Sequence, residues 1–324
     1  MENPVPARSE SFVADRLSRA QGCLLGQLAG DAIGSLVEFK SPASILRAYP
    51  KGVRELADGG TWNTLAGQPT DDSEMALMLA RMLAKQGTYD AAEARKAYVF
   101  WLNSHPFDVG NTVSSGLRGY LMQESQANGA LMRISPLGIF GANYSPEQVA
   151  EWAREDAKLT HPHPVCQQAN ALFAAAIAHA INDESTAQDV YDQIQQWAEN
   201  WQVEKALRQC LDQAKTSRPK DYEHQMGWVL IAFQNALWQL LHAPNLEEGV
   251  VDTVMHGGDT DTNAAIAGAL LGAVYGRSAI PIQWTEKLLN CRPKAGLPNV
   301  HLPRPECFWP VDALELAEKL LSQT

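Results

Sequence analysis

Apolar residues recur at three- and four-residue spacing over most of the chain, and Val/Ile/Thr alternation with hairpin turns is nearly absent. The first pattern puts side chains on one face of an α-helix, whereas alternation would mark a half-buried strand. Met75, Leu79, Met82 and Leu83 form one such stripe, and Val229, Ile231, Ala232, Ala236, Leu237 and Leu240 form another. Ala, Leu, Gln and Glu, all good helix formers, fill the long segments. The pattern predicts helices over 14–34, 71–86, 90–103, 111–122, 146–158, 164–181, 186–197, 200–214, 224–241, 246–255, 261–274, 282–290 and 311–322. The fold class is therefore all-α.

Breaks between these segments fall at Gly59-Gly60, Ser135-Pro136, His161-Pro162, Gly257-Gly258 and the proline-rich stretch from Pro293 to Pro310. No low-complexity linker divides the chain and no fixed-period repeat is visible, so one compact helical domain is expected over 13–324, preceded by a flexible segment, 1–12. The loop from Arg292 to Pro310 reads as an irregular surface segment. The segments Ala169–Ile181 and Asn263–Gly276 are the most apolar. They are shorter than the roughly 18 residues a bilayer requires, and their alanine and glycine content suits closely packed internal helices.

Composition narrows the function. The chain has 324 residues, 45% of them hydrophobic and 19% charged, enough for a sizeable core. Its formal net charge of −11 argues against binding nucleic acid or an anionic membrane through a basic face. Five cysteines, an odd number with no CxxC pair, read as reduced thiols of a cytoplasmic protein. The first twenty residues contain no apolar stretch of the kind a signal peptide carries.

Two polar clusters precede apolar helices: Thr70-Asp71-Asp72 ahead of Met75, and Asp259-Thr260-Asp261-Thr262 ahead of Asn263. Capping explains either cluster alone, because Asp and Thr accept hydrogen bonds from free N–H groups at a helix start. Asp71 and Glu74 even have the spacing of a capping box. Two such clusters suggest more. Each sets adjacent carboxylates side by side, and a helix terminus offsets only about 0.3–1 kcal/mol of that repulsion per charge. If the clusters meet, a multivalent cation is needed, and oxygen-only donors select Mg²⁺, Mn²⁺ or Ca²⁺ over zinc. Spacing alone does not bring together clusters that lie so far apart in the chain. A G-x-S-x-G nucleophile elbow, a Walker A loop and a dinucleotide fingerprint are all absent.

The ordered motifs resemble the ADP-ribosylglycohydrolase family. Gly22 to Gly34, with Glu38 following, resembles its first helix. Thr70-Asp71-Asp72-Ser73 and Gly257-Gly258-Asp259-Thr260-Asp261-Thr262 match its two metal motifs, and Gly129–Arg133 and Leu159-Thr160-His161 match two ligand-loop signatures. The resemblance implies an all-α, single-domain fold around a central cleft holding two Mg²⁺ or Mn²⁺ ions. Their ligands would be Thr70, Asp71, Asp72, Asp259, Asp261 and Thr262. Phe107-Asp108-Val109-Gly110-Asn111-Thr112 resembles a stretch that lines the ADP-ribose site in the arginine-specific branch, making Asp108, Gly110, Asn111 and Thr112 candidates for substrate binding. Asn128, Gly129 and Ala130 would form a backbone loop against phosphate or ribose, and His161 would wall the cleft. Glu38 resembles a carboxylate that approaches the metals from a mobile loop.

The activity so implied is removal of ADP-ribose from a modified protein, with arginine the expected acceptor. Glu38, Asp72, Asp108 and Asp261 are the candidate catalytic carboxylates. Two other readings stay open: hydrolysis of serine-linked or free ADP-ribose derivatives, and a non-catalytic protein that occludes a partner or is structural, as crystallin-like relatives are. The partners expected are an ADP-ribosylated target and an ADP-ribosyltransferase toxin, with no nucleic acid and no membrane. Trp62, Trp101, Phe107 and Tyr120 are candidates for stacking on adenine, although tryptophan in a helical protein usually serves the core.

Overall fold

The computed structural model describes residues 10–182 and 185–323, so most of the segment expected to be flexible lies outside the described residues. Within them the chain is helical, with no strand. The helices are α1 (Glu10–Gly34), α2 (Pro42–Ala48), α3 (Asp71–Gln86), α4 (Ala91–Leu102), α5 (Asn111–Leu117), α6 (Ser135–Gly141), α7 (Pro146–Lys158) and α8 (Pro164–Asn182). They continue with α9 (Ala187–Asn200), α10 (Lys205–Ala214), α11 (Val229–His242), α12 (Leu246–Met255), α13 (Thr260–Tyr275), α14 (Ile282–Asn290) and α15 (Ala313–Ser322). No described helix is long and apolar enough to cross a membrane.

At the centre α1 lies antiparallel against α13. Gly22, Gly26, Gly30 and Gly34 recur every fourth residue and so share one face of α1. A Cβ at Gly26 would lie 2.1 Å from the Gly268 carbonyl oxygen, and one at Gly34 would lie 2.4 Å from Asp261 Cα. The bare stripe lets the two backbones touch. It thereby fixes Asp31, on α1, beside Asp261 in the first turn of α13. The alanine-rich α8 packs on both helices, and α15, near the end of the chain, returns to α1, so the first and last elements share one core. Both apolar stripes read from sequence, on α3 and α11, are buried.

The punctuation misled in four places. The segment expected to be helical over 111–122 stops at Leu117, where Gly119 enters left-handed space at φ 93°. That expected over 200–214 starts at Lys205, after a turn with Gln202 at φ 51°. That expected over 224–241 starts at Val229, after Gln225 at φ 53°. The proline at Ser135-Pro136 opens a helix where a break was expected; α6, like α2, carries proline in its first turn, where the missing N–H has no partner to lose. The 292–310 segment is also more than surface. It is exposed near Leu297, yet Arg304 and Phe308 are buried in the core.

Candidate active site

The N-termini of α3 and α13 face each other, and the two acidic clusters meet there. Thr70 and Asp259 stand at the N-cap positions of these helices and make no side-chain capping bond. Asp31 does that work for α3 from the neighbouring helix. Its carboxylate accepts from Thr70 N at 3.1 Å, Ser73 N at 3.1 Å and the Thr70 hydroxyl at 2.8 Å. Thr260 donates its hydroxyl to Gly34 O at 2.7 Å, which ties the second cluster to the end of α1. Capping therefore leaves Asp71 and one oxygen each of Asp72 and Asp261 for another purpose; Asp261 Oδ1 accepts from Thr262 N at 2.9 Å.

Carboxylate oxygens of Asp31, Asp72 and Asp261 lie within 4.8 Å of one another, and so do those of Glu38, Asp108 and Asp261. Asp261 belongs to both groups. Asp72 Oδ1 and Asp261 Oδ2 are buried without a hydrogen-bond partner, although a buried polar atom normally has one. Burial first, and neighbouring carboxylates second, push Asp71, Asp72 and Asp261 well above the usual carboxylate range. Burial raises Asp259 too, against hydrogen bonds that include one from Asn128 Nδ2 at 2.6 Å. Asp31 rises to about 6 by burial, opposed by its bonds from Ser73 and Thr70. A protein that crowds acids in this way must hold protons or a cation among them. The all-oxygen donor set and the two orphaned oxygens fit a hard divalent cation.

Asp71 and Asp259 form the floor of a cleft of about 460 Å³, a size that suits a nucleotide-like ligand. Glu38, Asp71, Asp108, Asp259 and Thr262 line it, and with them Gly110, Asn111, Thr112, Asn128, Gly129 and His161. Thr70, Asp72 and Asp261 lie buried next to that floor, and Ala130 is buried behind Gly129. The structure thus brings every site residue named from sequence to one place. Asp108 rises to about 6 through burial, against a hydrogen bond with Asp71. Glu38 rises to about 8 through burial and the charge of Asp108. Trp62 Nε1 donates to Glu38 Oε2 at 2.6 Å and opposes that rise.

Of the aromatic candidates, Trp101 is wholly buried and donates to Glu74 Oε2 at 2.8 Å, so it is a core residue and no stacking platform. Trp62 and Phe107 are neighbours beside Glu38, with ring centroids 5.8 Å apart, and Tyr120 is exposed. Four residues were given no role of their own from sequence: Asp31, Arg133, Asp156 and Arg304. Asp31 was hidden because an aspartate inside the first helix looked like part of a family signature; its position on the glycine-striped, buried face was the available signal. Arg133 and Asp156 form a fully buried ion pair behind the Asn128–Ala130 loop, with no spacing cue to link them. Arg304 pairs with Glu74, two residues beyond Asp72, at 2.7 Å.

The ADP-ribosylglycohydrolase family model matches residues 13–323. The chain belongs to the ADP-ribosylglycohydrolase family. It is 31% identical over 288 residues to ADP-ribosyl-[dinitrogen reductase] glycohydrolase of Rhodospirillum rubrum, covering 83% of this chain and 90% of the relative. It is 28% identical over 291 residues to the ADP-ribosylarginine hydrolase Tri1 of Pseudomonas putida (strain GB-1), covering 84% of this chain and 74% of that one. A solved ADP-ribosylglycohydrolase-related protein complex contains a chain that superposes with a TM-score of 0.78 at 25% identity, over 96% of this chain and 99% of that chain. This chain is accordingly a hydrolase of that family, and the all-α fold expected from sequence is the family's fold.

Proposed function

We propose that this protein hydrolyses the bond between ADP-ribose and an arginine side chain of a modified protein, in a metal-dependent reaction. The observation that carries the reading is the meeting of both acidic clusters at the floor of one cleft, with buried, unpartnered oxygens on Asp72 and Asp261. Thr70, Asp71, Asp72, Asp259, Asp261 and Thr262 would hold two Mg²⁺ or Mn²⁺ ions, with Asp31 orienting Thr70 from behind. When bound, the ions would supply Lewis acidity and lower the pKa of water.

The remaining chemistry belongs to the side chains. Cleavage breaks the bond from C1 of the distal ribose to the guanidinium nitrogen, through an oxocarbenium-like transition state. A water oxygen bonds to C1, and a cleft carboxylate carries a proton from that water to the departing nitrogen. Asp72, Asp108 and Glu38 are the candidates. Glu38 and Asp108 line the cleft beside Asp261, within reach of a bound sugar, which suits an acid–base pair. Gly110, Asn111 and Thr112 would wall the distal ribose and its acceptor, and Asn128 to Ala130 would offer backbone to phosphate or ribose. The likeness to an ADP-ribosylarginine hydrolase and the Asp108–Thr112 wall support arginine as the acceptor. The setting we propose is cytoplasmic: reversal of ADP-ribosylation on a cellular target, or protection from an ADP-ribosyltransferase toxin.

Two peptides, one ADP-ribosylated on arginine and one on serine, test the acceptor. Arginine turnover at least a hundredfold faster is expected, and Asp261→Asn should abolish it while the protein stays folded. Preferential turnover of the serine peptide would overturn the arginine assignment. No turnover of either would favour an occluding or structural protein.

A further inference from the structure

Behind the cleft wall lies a polar chain with no access to solvent. Arg133 Nε donates to Asp156 Oδ1 at 2.9 Å, and its Nη2 donates to the Asp156 carbonyl at 2.9 Å. The Tyr98 hydroxyl donates to Asp156 Oδ2 at 2.8 Å, and the guanidinium lies 4.3 Å over the Tyr98 ring. These contacts fix where Arg133 points. Its Nη1 donates to Thr160 Oγ1 at 2.9 Å, and that same oxygen lies 2.8 Å from Nδ1 of His161.

The direction of each bond follows from what each group can do. A guanidinium only donates, so it occupies a lone pair of the Thr160 hydroxyl. Among the described residues, the hydroxyl's own proton has His161 Nδ1 as its acceptor. Nδ1 then carries no proton, and a neutral imidazole must carry its proton on Nε2. Burial and the nearby charge of Arg133 push His161 down to about 3, so the ring stays neutral through the physiological range.

Nε2 is buried and has no hydrogen-bond partner. It lies at the Gly129 backbone, where a Cβ would come within 3.3 Å of it, and both residues line the cleft. We infer that Arg133 and Thr160 are positioning residues that lock His161 as its Nε2–H tautomer, so that it meets the ligand as a neutral hydrogen-bond donor. A protonated Nε2 can neither ligate a metal nor take a proton from water. It needs an acceptor oxygen, such as one from a diphosphate or a ribose hydroxyl. The identity of that oxygen rests on the ADP-ribosyl reading above; the tautomer does not.

Two-bond ¹H–¹⁵N spectra of histidine-labelled protein read the tautomer directly, with His161 assigned by its loss in His161→Asn. The wild type should show a bare Nδ1 and a protonated Nε2. Thr160→Val, which keeps the shape and removes the hydroxyl, should mix the tautomers and weaken ADP-ribose binding about 10- to 100-fold, as loss of a charge-assisted hydrogen bond would. Thr160→Ser should restore both. A protonated Nδ1 in the wild type, or an unchanged tautomer in Thr160→Val, would overturn the inference. If Thr160→Val does not fold, the wild-type spectrum decides. A wild type that shows the Nε2–H form but does not bind ADP-ribose would overturn the proposed function and leave the tautomer assignment standing.

Discussion

Replacing Gly30 with alanine should damage both the fold and the site, because it drives α1 away from α13 next to Asp31. The new methyl carbon would stand 2.1 Å from Ala264 O, 2.4 Å from Ala264 C and 2.7 Å from Ala265 N. A carbon–oxygen contact relaxes to about 3.3 Å, so the helices must part locally by roughly 1.2 Å. All three clashing atoms are backbone and cannot rotate aside. Overpacking costs about 1–3 kcal/mol, and the better helix propensity of alanine returns about 1 kcal/mol. A net loss of about 0–2 kcal/mol is expected in urea denaturation. Asp31 then shifts relative to Asp261 and Thr70, and a misplacement of that size costs on the order of a hundredfold in rate. Gly22→Ala meets a similar clash, 2.5 Å from Gly272 O, but about 12 Å from Gly30 along the helix axis. It should cost comparable stability and much less activity. Wild-type stability and turnover in Gly30→Ala would refute the account of how the two helices set the site.

Two further outcomes follow from groups around the cleft. Arg304→Met strands the buried carboxylate of Glu74, which should cost about 3–5 kcal/mol in urea denaturation, and Glu74→Gln on that background should recover part of the loss. The metal-free protein should become less stable as pH rises. Glu38 moves from an ordinary 4.5 to about 8 on folding, so the native state holds a proton that the unfolded state has lost. Stability from this group is complete below about 4.5 and falls away as pH climbs toward about 8. Melting in EDTA from pH 5 to 8 should show a declining midpoint, with added Mg²⁺ restoring most at the alkaline end; a midpoint that rises with pH would contradict it.

Helical periodicity made the all-α class legible, because α3, α8, α11 and α13 pack through stripes or wholly apolar segments that one period describes. Helix ends were less so. Gln202, Gln225 and Gly119 turn the chain through left-handed backbone that side-chain patterning does not encode. Pro136 opens α6 from the first turn, a role that punctuation alone does not separate from a break. The paired clusters around Asp72 and Asp261 could be seen as chemistry waiting for a cation, but their meeting depends on the tertiary contact of α1 with α13. Asp31, Arg133 and Arg304 act from behind the cleft through buried partners distant in sequence. That is why local spacing missed them, and why Asp71 and Glu74 looked like a capping box when Asp31 caps the helix and Glu74 pairs with Arg304.

The central claim is that the acidic cleft works as a metal-dependent ADP-ribosyl hydrolase site. Release of ADP-ribose from an arginine-ADP-ribosylated protein, measured with Mg²⁺ and again after EDTA, tests it most directly. The account predicts release with Mg²⁺, loss of release in EDTA, and recovery when Mg²⁺ is returned. Equal release with and without the chelator would contradict the role assigned to Asp72 and Asp261, and no release under either condition would contradict the activity itself.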